Sequence, residues 1–382
     1  MGGVQFSSFY FIQELRKYPE YEIKLLLPKH GQFSNLCKEN SIPFSIYNSR
    51  KMYSSSLSLF NDSIRLPNFF AWIYNMINIF KNSKNIRAVI KKNKSAVILS
   101  KGFYSHFMTL FANIRLSNKL IWHMQDLISN RFGGLFLTII NYFAKIGPDY
   151  IICDGGSIFE SLNKFNQNKA AIILNGIKKD LFQKTHILRN SGRKEFNISK
   201  NAYVIGHVGR FTPWKGQIKL VEAFSSYSKK NPYAILLLIG APVFDTSLYI
   251  NEIKNTIYRN ELENKVILSG FRTDLDKMFS IMDLFIYPSI EKDTSPLALI
   301  SAISSGLPVA ASSIESLQDI IEKIPAISLF NPLYIPEIIS IYQKFEDKKL
   351  RFEIGNAINL EFENHFDISS NTKKIIKIIN SV

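Results

Sequence analysis

The sequence is poor in the features that mark secreted, disulfide-stabilised or membrane-spanning proteins. Its 382 residues include two cysteines, Cys37 and Cys153, which lie far apart and fit no metal-ligand spacing. We therefore expect both to be reduced thiols in a reducing compartment. No stretch of about 18 apolar residues is free of charged or polar breaks, so no transmembrane helix is predicted. No secretory leader is recognised, which favours a cytoplasmic location.

Acidic residues are scarce, and their shortage is uneven. The chain has 47 Lys and Arg against 31 Asp and Glu, a net charge of +16. Residues 1–182 have 23 basic and 10 acidic residues, whereas residues 183–382 have 24 and 21. The basic half is expected to face an anionic partner. No nucleic-acid motif is present, so an anionic inner-membrane surface or a phosphate-bearing acceptor is favoured; a solvated basic face is the alternative.

Length and pattern predict two or three α/β domains. Apolar segments alternate with helical patterns along the first half, which indicates a parallel sheet. The predicted strands of this half are Tyr21–Leu27, Pro43–Tyr47, Ala96–Ser100, Leu120–His123, Tyr150–Cys153 and Ala170–Leu174. The Ser-rich segment 52–66 is predicted to be a loop, and the polar, basic segment 183–200 a linker.

The segment 67–92 predicts a helix with a wide apolar stripe. The stripe consists of Phe69, Phe70, Trp72, Ile73, Met76, Ile77 and Phe80, and it is followed by Lys81, Lys84, Arg87, Lys91 and Lys92. An aromatic, basic amphipathic helix can lie in a membrane interface, and it can equally pack against a domain core. Both interpretations stay open here, as they do for the segment 132–145.

The stretch best suited to bind a diphosphate is 204–216, which reads VIGHVGRFTPWKG. An apolar strand ends at Gly209, Arg210 follows, and after a short turn Lys215 and Gly216 precede a helical pattern that begins at Gln217. A glycine lets backbone approach an oxygen closely, two fixed cations face its charge, and a helix N-terminus adds roughly half a positive charge. The alternative is an ordinary strand-to-helix loop with two solvated cations.

This stretch resembles the donor-phosphate loop of the retaining glycosyltransferases of family 4, which have the GT-B fold. Their pattern is a strand, Gly-Arg, a few residues, and Lys-Gly. Further segments resemble the family in the same order: ILNGI at 173–177 with Phe182, VILSGF at 266–271, MDLFIYPS at 282–289 and SGLPVAAS at 305–312. The resemblance therefore spans most of the chain.

The resemblance implies two Rossmann-like parallel-sheet domains that face a central cleft. The expected division is an acceptor-binding domain at 1–182, the linker 183–200, a nucleotide-sugar-binding domain at 201–360, and a last helix at 361–382 that crosses back. In the family, a strand precedes a Gly-Gly turn whose backbone nears donor and acceptor, and Gly2 and Gly3 match that turn. The first β-strand is missing from this sequence. Because a central parallel strand is normally buried on both faces, we expect a truncated start.

The resemblance assigns the diphosphate to Arg210 and Lys215, flanked by Gly209 and Gly216. Phe271 or Arg272 is expected to border the nucleobase. An Asp-Leu-Asp triplet begins at Asp274 and could suggest a metal, but an aspartate where a helix begins is the ordinary N-terminal role. No metal and no cofactor are expected.

The family pattern of two glutamates eight positions apart is altered here. The matching residues are Asp293 and Ser301. Asp293 keeps a carboxylate near the transferred sugar, with Glu291 as a substitute, but Ser301 is too short to bridge two ribose hydroxyls, which could lower donor affinity about ten- to a hundredfold. The helix that starts near Pro296 is expected to bind the donor phosphate through its N-terminus. The residues expected there are Thr294, Ser295, Pro296 and Leu297, of which Thr294 and Ser295 are placed to cap the helix.

In the first half, His123 lies at the carboxyl end of a predicted strand, where ligands of open α/β sheets bind. Family members often have a histidine here, near the transferred sugar. A satisfied structural histidine is the alternative. Asp154 stands where the family often has serine.

We therefore expect a retaining, metal-independent glycosyltransferase that moves a sugar from a nucleotide-diphosphate sugar to a cell-surface glycan or lipid-linked acceptor. It would be cytoplasmic, on the inner face of the membrane. The first alternative is a glycosyltransferase-like binding or partner subunit with weakened or no catalysis, because Ser301 replaces a glutamate and the first strand is missing from the sequence. A GT-B enzyme of another class, such as a sugar-nucleotide epimerase, is the second.

Overall fold

The computed structural model describes residues 2–53, 56–59, 64–94, 96–126, 134–242, 247–291 and 293–382. The chain divides into two compact units. The first unit comprises Met1–Asp154, Ile158–Ile173 and Thr372–Val382, and the second comprises Gly155–Ser157 and Leu174–Asn371. The end of the last helix therefore belongs to the first unit.

The N-terminal part of the chain alternates strands and helices. Its strands are β1 (Leu25–Leu27), β2 (Phe44–Ile46), β3 (Ser56–Leu59), β4 (Ile64–Pro67), β5 (Ile98–Lys101), β6 (Leu120–Met124), β7 (Tyr150–Cys153) and β8 (Ala170–Ile172). Its helices are α1 (Gly3–Leu15), α2 (Gln32–Glu39), α3 (Phe69–Lys91), α4 (Phe103–Asn113), α5 (Leu135–Ile146), α6 (Gly156–Ser161) and α7 (Lys164–Gln167).

The parallel strands of the first unit fall into two sheets. One is the pair β1-β2, and the other has the order β5-β6-β7-β8. A third, antiparallel pair joins β3 to β4. The prediction of a loop at 52–66 was therefore wrong, because Ser and Leu alternate at 56–59 with the period of a strand.

The strand β6 is buried along its whole length, as expected of a central parallel strand. Its residues Leu120 and Trp122 pack in a core with Phe107 and Ile140 from the helices α4 and α5. On the opposite face, Ile121 packs with α1 and with the end of the last helix. The first unit is thus a helix–sheet–helix layer around β6.

The C-terminal part of the chain repeats the alternation. Its strands are β9 (Tyr203–Val208), β10 (Ala234–Ile239), β11 (Val266–Gly270), β12 (Leu284–Tyr287), β13 (Val309–Ser312) and β14 (Ser328–Phe330). Its helices are α8 (His186–Glu195), α9 (Gln217–Ser228), α10 (Ser247–Arg259), α11 (Leu275–Ile281), α12 (Leu297–Ser304), α13 (Gln318–Lys323), α14 (Ile335–Lys344), α15 (Lys348–Phe366) and α16 (Ile368–Ser381).

One parallel sheet organises the second unit, with the order β11-β10-β9-β12-β13-β14. The direction of strand addition reverses at β9, because β10 pairs with one of its edges and β12 with the other. In such sheets the crevice at the reversal point, beyond the carboxyl ends of the strands, is the usual ligand site. The loops that follow β9 and β12 meet there.

The expected linker 183–200 contains a helix that packs within the second unit. In α8, Arg189 donates hydrogen bonds to the carbonyls of Ser280 and Met282 and pairs with Asp283 at 2.6 Å. Arg193 binds the other oxygen of the same carboxylate at 2.8 Å. These bonds satisfy the carbonyls at the end of α11, so the basic composition of this segment reflects docking rather than solvation.

Within the described ranges, every helix falls short of the length and apolarity that a membrane crossing requires.

Candidate active site

The loop that follows β9 is shaped by close backbone contacts. Gly216 is the N-cap of α9 and has a φ of +70°. A Cβ atom at this position would overlap the carbonyl oxygen of Pro288, in the loop after β12. Similarly, a Cβ atom on Gly240 would overlap the carbonyl oxygen of Gly209. Glycine at these positions therefore lets the neighbouring loops touch.

Lys215 is buried at the end of this loop, and two side chains accept hydrogen bonds from its ammonium. Its ammonium donates hydrogen bonds to the hydroxyl of Tyr287 and to the carboxylate of Asp293. The Tyr287 hydroxyl donates to the same carboxylate oxygen. Burial lowers the pKa of Lys215, although Asp293 opposes this shift. Burial and the Asp293 charge both raise the pKa of Tyr287 well above its usual value.

Arg210 is exposed, unlike Lys215. Its guanidinium carbon lies 5.3 Å from the ring centroid of Trp214, and the ammonium of Lys215 lies 4.7 Å from the same centroid. The indole thus binds both cations by cation–π contacts. The structure brings together Arg210, Lys215 and Asp293, and their contact with a donor stays a prediction. It also places Trp214 and Tyr287 beside them, which the sequence analysis did not single out. An aromatic residue between two cations was the available signal for Trp214.

Buried polar side chains form hydrogen bonds that stabilise the loop after β9. The amide nitrogen of Gln217 donates to the carbonyl of Arg210 at 2.8 Å, and the Tyr249 hydroxyl donates to the Gln217 amide oxygen at 3.2 Å. The Nδ1 atom of His207 lies 3.0 Å from the carbonyl oxygen of Ile286 in β12. Burial lowers the pKa of His207 to about 3, so this side chain is neutral and adds no charge beneath the cations.

The start of α12 differs in detail from the prediction. Its N-cap is Pro296, and no side chain caps it. The expectation that Thr294 or Ser295 caps the helix was therefore wrong. Ser295 has a φ of +45°, and its hydroxyl accepts a hydrogen bond from the backbone of Asn175 at 2.7 Å. Leu297 lies in the first turn, where backbone N–H groups have no carbonyl partner within the helix.

The two residues of the altered glutamate pattern lie on either side of this helix start. The backbone N–H of Asp293 donates to the Ser316 hydroxyl at 2.9 Å, which fixes the loop before α12. Ser301 is buried within α12, 4% exposed. A serine side chain at a buried position cannot reach far from the helix surface. Asp293 therefore offers a carboxylate at the start of the helix, whereas Ser301 offers only a short, buried hydroxyl.

Phe271 and Arg272 follow β11. Phe271 is half exposed. Arg272 binds the carboxylates of Asp274 and Glu195, both at 2.6 Å, and these two bonds raise its pKa above its ordinary value. Asp274 is the N-cap of α11, but its carboxylate binds Arg272 and not the first turn of the helix. The contact of Phe271 or Arg272 with a nucleobase stays a prediction.

In the first unit, His123 belongs to a buried polar network. Its Nε2 atom lies 2.5 Å from Oδ1 of Asp154, and Gln125 donates to Oδ2 of Asp154 at 2.6 Å. The Gln125 amide also donates to the hydroxyl of Ser7 in α1 at 3.1 Å. Burial and the charge of Lys101 lower the pKa of His123.

Gly2 and Gly3 lie at the N-terminus of α1, where Gly2 is the N-cap. A Cβ atom on either would meet no other atom within 4 Å. The described structure therefore does not itself require glycine at these positions, and their role beside a substrate stays a prediction.

Comparisons with known proteins relate the chain to glycosyltransferases. Residues 189–324 match the family described as glycosyl transferases group 1. The chain is 27% identical over 266 residues to the uncharacterized glycosyltransferase MJ1059 of Methanocaldococcus jannaschii, covering 66% of this chain and 62% of that protein. It is 28% identical over 149 residues to the UDP-Gal:alpha-D-GlcNAc-diphosphoundecaprenol alpha-1,3-galactosyltransferase of Escherichia coli, covering 38% and 37%. The matches thus span less than two thirds of these relatives.

The fold is shared with solved glycosyltransferase structures. Anabaena Alr3699/HepE in complex with UDP-glucose superposes with a TM-score of 0.83 at 19% identity, covering 100% of this chain and 97% of that one. A glycosyltransferase from Rickettsia africae gives a TM-score of 0.77 at 18% identity, covering 100% and 95%. The resemblance inferred from the sequence is confirmed at this level: residues 189–324 match the glycosyl transferases group 1 family, and the chain has the GT-B fold.

Proposed function

We propose that this protein is a retaining, metal-independent glycosyltransferase that uses a nucleotide-diphosphate sugar. The observation that carries the proposal is the cluster of Arg210, Lys215, Asp293 and Tyr287 at the reversal point of the second sheet, inside a glycosyl transferases group 1 domain. The named relatives support this chemistry. The Escherichia coli protein carries UDP-Gal and a diphosphoundecaprenol in its name, and HepE was solved with UDP-glucose.

The chemistry follows from where charge develops. When the sugar leaves, negative charge grows on the diphosphate, and fixed cations stabilise it. Arg210 is exposed and held against Trp214, so it can meet an incoming anion. Lys215 reaches the diphosphate by exchanging its bond to Asp293, which frees that carboxylate to orient the sugar. Tyr287 keeps both groups aligned during this exchange because it touches each of them.

A screen of nucleotide sugars, with release of nucleoside diphosphate as the readout, tests this proposal. Replacing both Arg210 and Lys215 by alanine should lower turnover by about a thousandfold or more, because two charges are removed from the developing anion. Lys219→Ala is the matched control, since Lys219 lies in α9 and, among the described residues, pairs only with Glu222 at 2.8 Å. Undiminished turnover by the double variant would refute the assignment.

The alternative of an inactive binding subunit rests on Ser301. Calorimetry of the wild-type chain against a panel of nucleotide sugars separates the two functions, because a pure scaffold releases no heat with any of them. Ser301→Glu should raise donor affinity about ten- to a hundredfold if a ribose lies beside α12. An unchanged affinity would show that the ribose is held elsewhere.

For the acceptor, we propose a cell-surface glycan or lipid-linked molecule, met at an anionic membrane surface. The helix α3 carries this part of the proposal because its first half buries asparagines and exposes apolar side chains. Its buried positions include Asn75, Asn78 and Asn82, which bind the backbone of residues 50–53. Between positions 69 and 80 its exposed residues are apolar or aromatic, with relative exposures of 62% for Phe69, 86% for Phe70, 60% for Ile73, 60% for Met76, 43% for Ile77 and 47% for Phe80.

The exposed apolar surface continues onto α5. Leu135, Ile139, Tyr142 and Ile146 recur at helical spacing and are all exposed. The rings of Trp72 and Phe136, whose centroids lie 5.1 Å apart, join the two helices. Phe132 and Gly133, also expected to contribute, lie outside the described residues.

Charge favours a lipid bilayer as the partner. Lys81 and Lys84 follow Ile77 by four and seven positions, which puts them on the exposed face of α3. Lys91, Lys92 and Lys94 are exposed further along. Interfacial helices usually bind a membrane by burying an apolar face in the bilayer. Each lysine near an anionic surface adds about 1 kcal/mol to this binding.

Vesicle flotation tests the membrane proposal. The wild-type chain should float with phosphatidylglycerol vesicles more than with phosphatidylcholine vesicles, and salt should weaken this binding. The combined change Phe70→Ser, Ile73→Ser and Met76→Ser should abolish flotation. The matched control replaces three exposed residues of the second unit, Ile187, Tyr258 and Leu360, by serine. Equal flotation of both triple variants would contradict the proposal, and self-association lost only in the α3 variant would instead identify a second copy as the partner.

A further inference from the structure

The turn at Gly209 and Arg210 packs against two buried polar side chains of the second unit. His207 belongs to β9 and Gln217 begins α9, and both are fully buried. A Cβ atom on Gly209 would lie 2.8 Å from Nε2 of His207 and 3.9 Å from the amide nitrogen of Gln217. Gly209 does not have a positive φ. The histidine ring, rather than the backbone conformation, therefore leaves no room for a side chain at this position.

The hydrogen bonds of His207 and Gln217 run in one consistent direction. A carbonyl only accepts, so the Nδ1 atom of His207, 3.0 Å from the carbonyl oxygen of Ile286, carries the proton. In the neutral ring Nε2 is then an acceptor, and the amide nitrogen of Gln217 lies 3.4 Å from it. The same amide nitrogen donates to the carbonyl of Arg210 at 2.8 Å. Each of the two amide N–H groups thus has its own acceptor, which opposes rotation of the Gln217 side chain.

The amide oxygen of Gln217 is fixed by a third element. It accepts a hydrogen bond from the hydroxyl of Tyr249 in α10 at 3.2 Å, and that hydroxyl accepts one from the backbone N–H of Ile218 at 3.4 Å. An amide turned by half a rotation would put its oxygen against the lone pair of His207, so only one orientation satisfies every group. Strand β12, helix α10 and the start of α9 therefore together fix one carbonyl group, that of Arg210.

The orientation of this peptide group decides where the Arg210 side chain starts. The guanidinium is exposed and rests against Trp214, with its carbon 5.3 Å from the ring centroid. A displacement of about 1 Å in a group that meets the reacting atoms can cost roughly a hundredfold in rate. We propose that His207 and Gln217 are positioning residues, which fix the turn at Gly209 and Arg210 so that the guanidinium meets the diphosphate. The inference rests on the proposed function, in which Arg210 binds that diphosphate.

The first test observes Arg210 without any ligand. Because the guanidinium lies over the Trp214 ring, the ring current shifts the proton signal of its Nε–H group in NMR with labelled arginine; Arg210→Lys assigns the signal. Gln217→Met keeps the side-chain volume and removes both donors, so the signal should move toward its position in Trp214→Leu. Ser225→Ala is the matched control, because Ser225 lies further along α9 and its hydroxyl donates to Asn260 at 2.8 Å. A signal that stays in place in Gln217→Met, or moves as far in Ser225→Ala, would overturn the inference.

The second test compares two glycine replacements by thermal denaturation. Gly209→Ala should lower the unfolding temperature of the wild-type chain, and it should lower that of His207→Ala less, because the atoms nearest to the new Cβ are gone. Gly240→Ala is the matched control, since its Cβ atom would overlap the backbone carbonyl of Gly209. Its cost should be the same with and without His207. Equal costs of Gly209→Ala in both backgrounds would show that the histidine does not shape the turn.

The third test measures coupling to Arg210 in binding. Calorimetry with UDP, GDP and ADP first identifies a nucleoside diphosphate that binds the wild-type chain. Gln217→Met should weaken its binding about tenfold in the wild-type background but less than about twofold in Arg210→Ala, where no guanidinium is left to position. His207→Phe, which keeps a ring and removes both nitrogen atoms, should show the same pattern. A side chain that only stabilises the fold would weaken binding to the same extent in both backgrounds.

The outcomes separate this inference from the proposed function. If a nucleoside diphosphate binds and loses affinity in Arg210→Ala, but Gln217→Met weakens binding equally in both backgrounds or not at all, the enzyme assignment stands and the positioning role is wrong. If no nucleotide binds, the enzyme assignment fails. The Arg210 signal and the Gly209→Ala comparison then decide whether His207 and Gln217 fix the turn, since neither measurement needs a ligand.

Discussion

The chain has the dipeptide Lys-Gly directly before a helix in each of its two units. Lys101 ends β5 and Gly102 precedes α4, whereas Lys215 and Gly216 end the loop between β9 and α9. Both glycines are helix N-caps with positive φ, +88° for Gly102 and +70° for Gly216. The surroundings differ: Lys215 binds Asp293 and Tyr287, whereas Lys101 lies over Phe11 and has no such partner in the described ranges.

The difference shows that the same dipeptide can place a lysine beside a carboxylate partner in one unit and without such a partner in the other. In the second unit the ammonium already has a counter-ion, so an anionic ligand must compete with Asp293. In the first unit the Lys101 ammonium has no ion pair among the described residues. Only the charge of Asp154 opposes the desolvation that lowers its pKa, so burial of this ammonium costs free energy. Three measurements would break or sharpen this contrast.

The largest effect is expected from replacing the two glycines by alanine. At Gly216 the new Cβ atom would overlap a backbone carbonyl, that of Pro288, in addition to the cost of a left-handed conformation. We expect Gly216→Ala to lower the free energy of unfolding by more than about 3 kcal/mol. At Gly102 a Cβ atom meets nothing within 4 Å, so only the backbone cost of about 1–3 kcal/mol applies. Equal losses in thermal denaturation would contradict this difference.

Replacement of each lysine by methionine should change stability in opposite directions. Lys101 has a pKa of about 8 in the folded chain against an ordinary value of 10.5. Between these values the unfolded chain binds more protons, so stability due to this group rises with pH and is lowest below pH 8. Lys101→Met should therefore stabilise the protein by about 1–3 kcal/mol at pH 7, and the gain should vanish above pH 10.5.

Lys215→Met should instead destabilise the protein by about 1–3 kcal/mol, because Asp293 and Tyr287 lose their partner. Denaturation curves between pH 7 and 10.5 check both signs. The pKa of Lys184 also falls to about 8 through burial, but its contribution is the same in each protein and cancels in the differences. A destabilising Lys101→Met would show that its ammonium has a partner after all.

The smallest effect is expected from Tyr287→Phe. The change removes one hydroxyl, which accepts from Lys215 and donates to Asp293. We expect a loss of about 1 kcal/mol in stability and a fall in kcat of about tenfold, with KM changed less, because the two charged groups remain but are no longer aligned. A change confined to KM would show that Tyr287 acts on binding and not on alignment.

Much of the fold could be predicted because parallel strands buried on both faces are continuous apolar runs. The segment 150–153 was expected as a strand and has these bounds as β7, and the expected strand 120–123 lies within β6. The side of a helix that faces the core was harder to predict. The apolar stripe of α3 was visible in the sequence, but its asparagines are buried because they bind the backbone of residues 50–53, a contact that periodicity does not reveal.

Candidate site residues could be predicted where they lie close together in sequence after one strand. They could not be predicted where two loops distant in sequence come together. Arg210 and Lys215 flank one turn, so their spacing was informative. Tyr287 becomes part of the site because the strand order places β12 beside β9, and strand order is a property of the whole sheet. Asp154 was noticed only as a departure from a family pattern, while its bond to His123 depends on the pairing of β6 with β7.

The contact of Trp214 with both cations makes the indole a natural optical reporter. The other tryptophans are distant in sequence: Trp122 is stacked on His106 at 5.1 Å in a core, and Trp72 belongs to α3. If a phosphate binds Arg210 and Lys215 as proposed and draws them away from the ring, the electric field across the indole changes, and its emission should shift. Ligand occupancy could thus be followed in real time in the unlabelled protein, with Trp214→Phe giving the background signal.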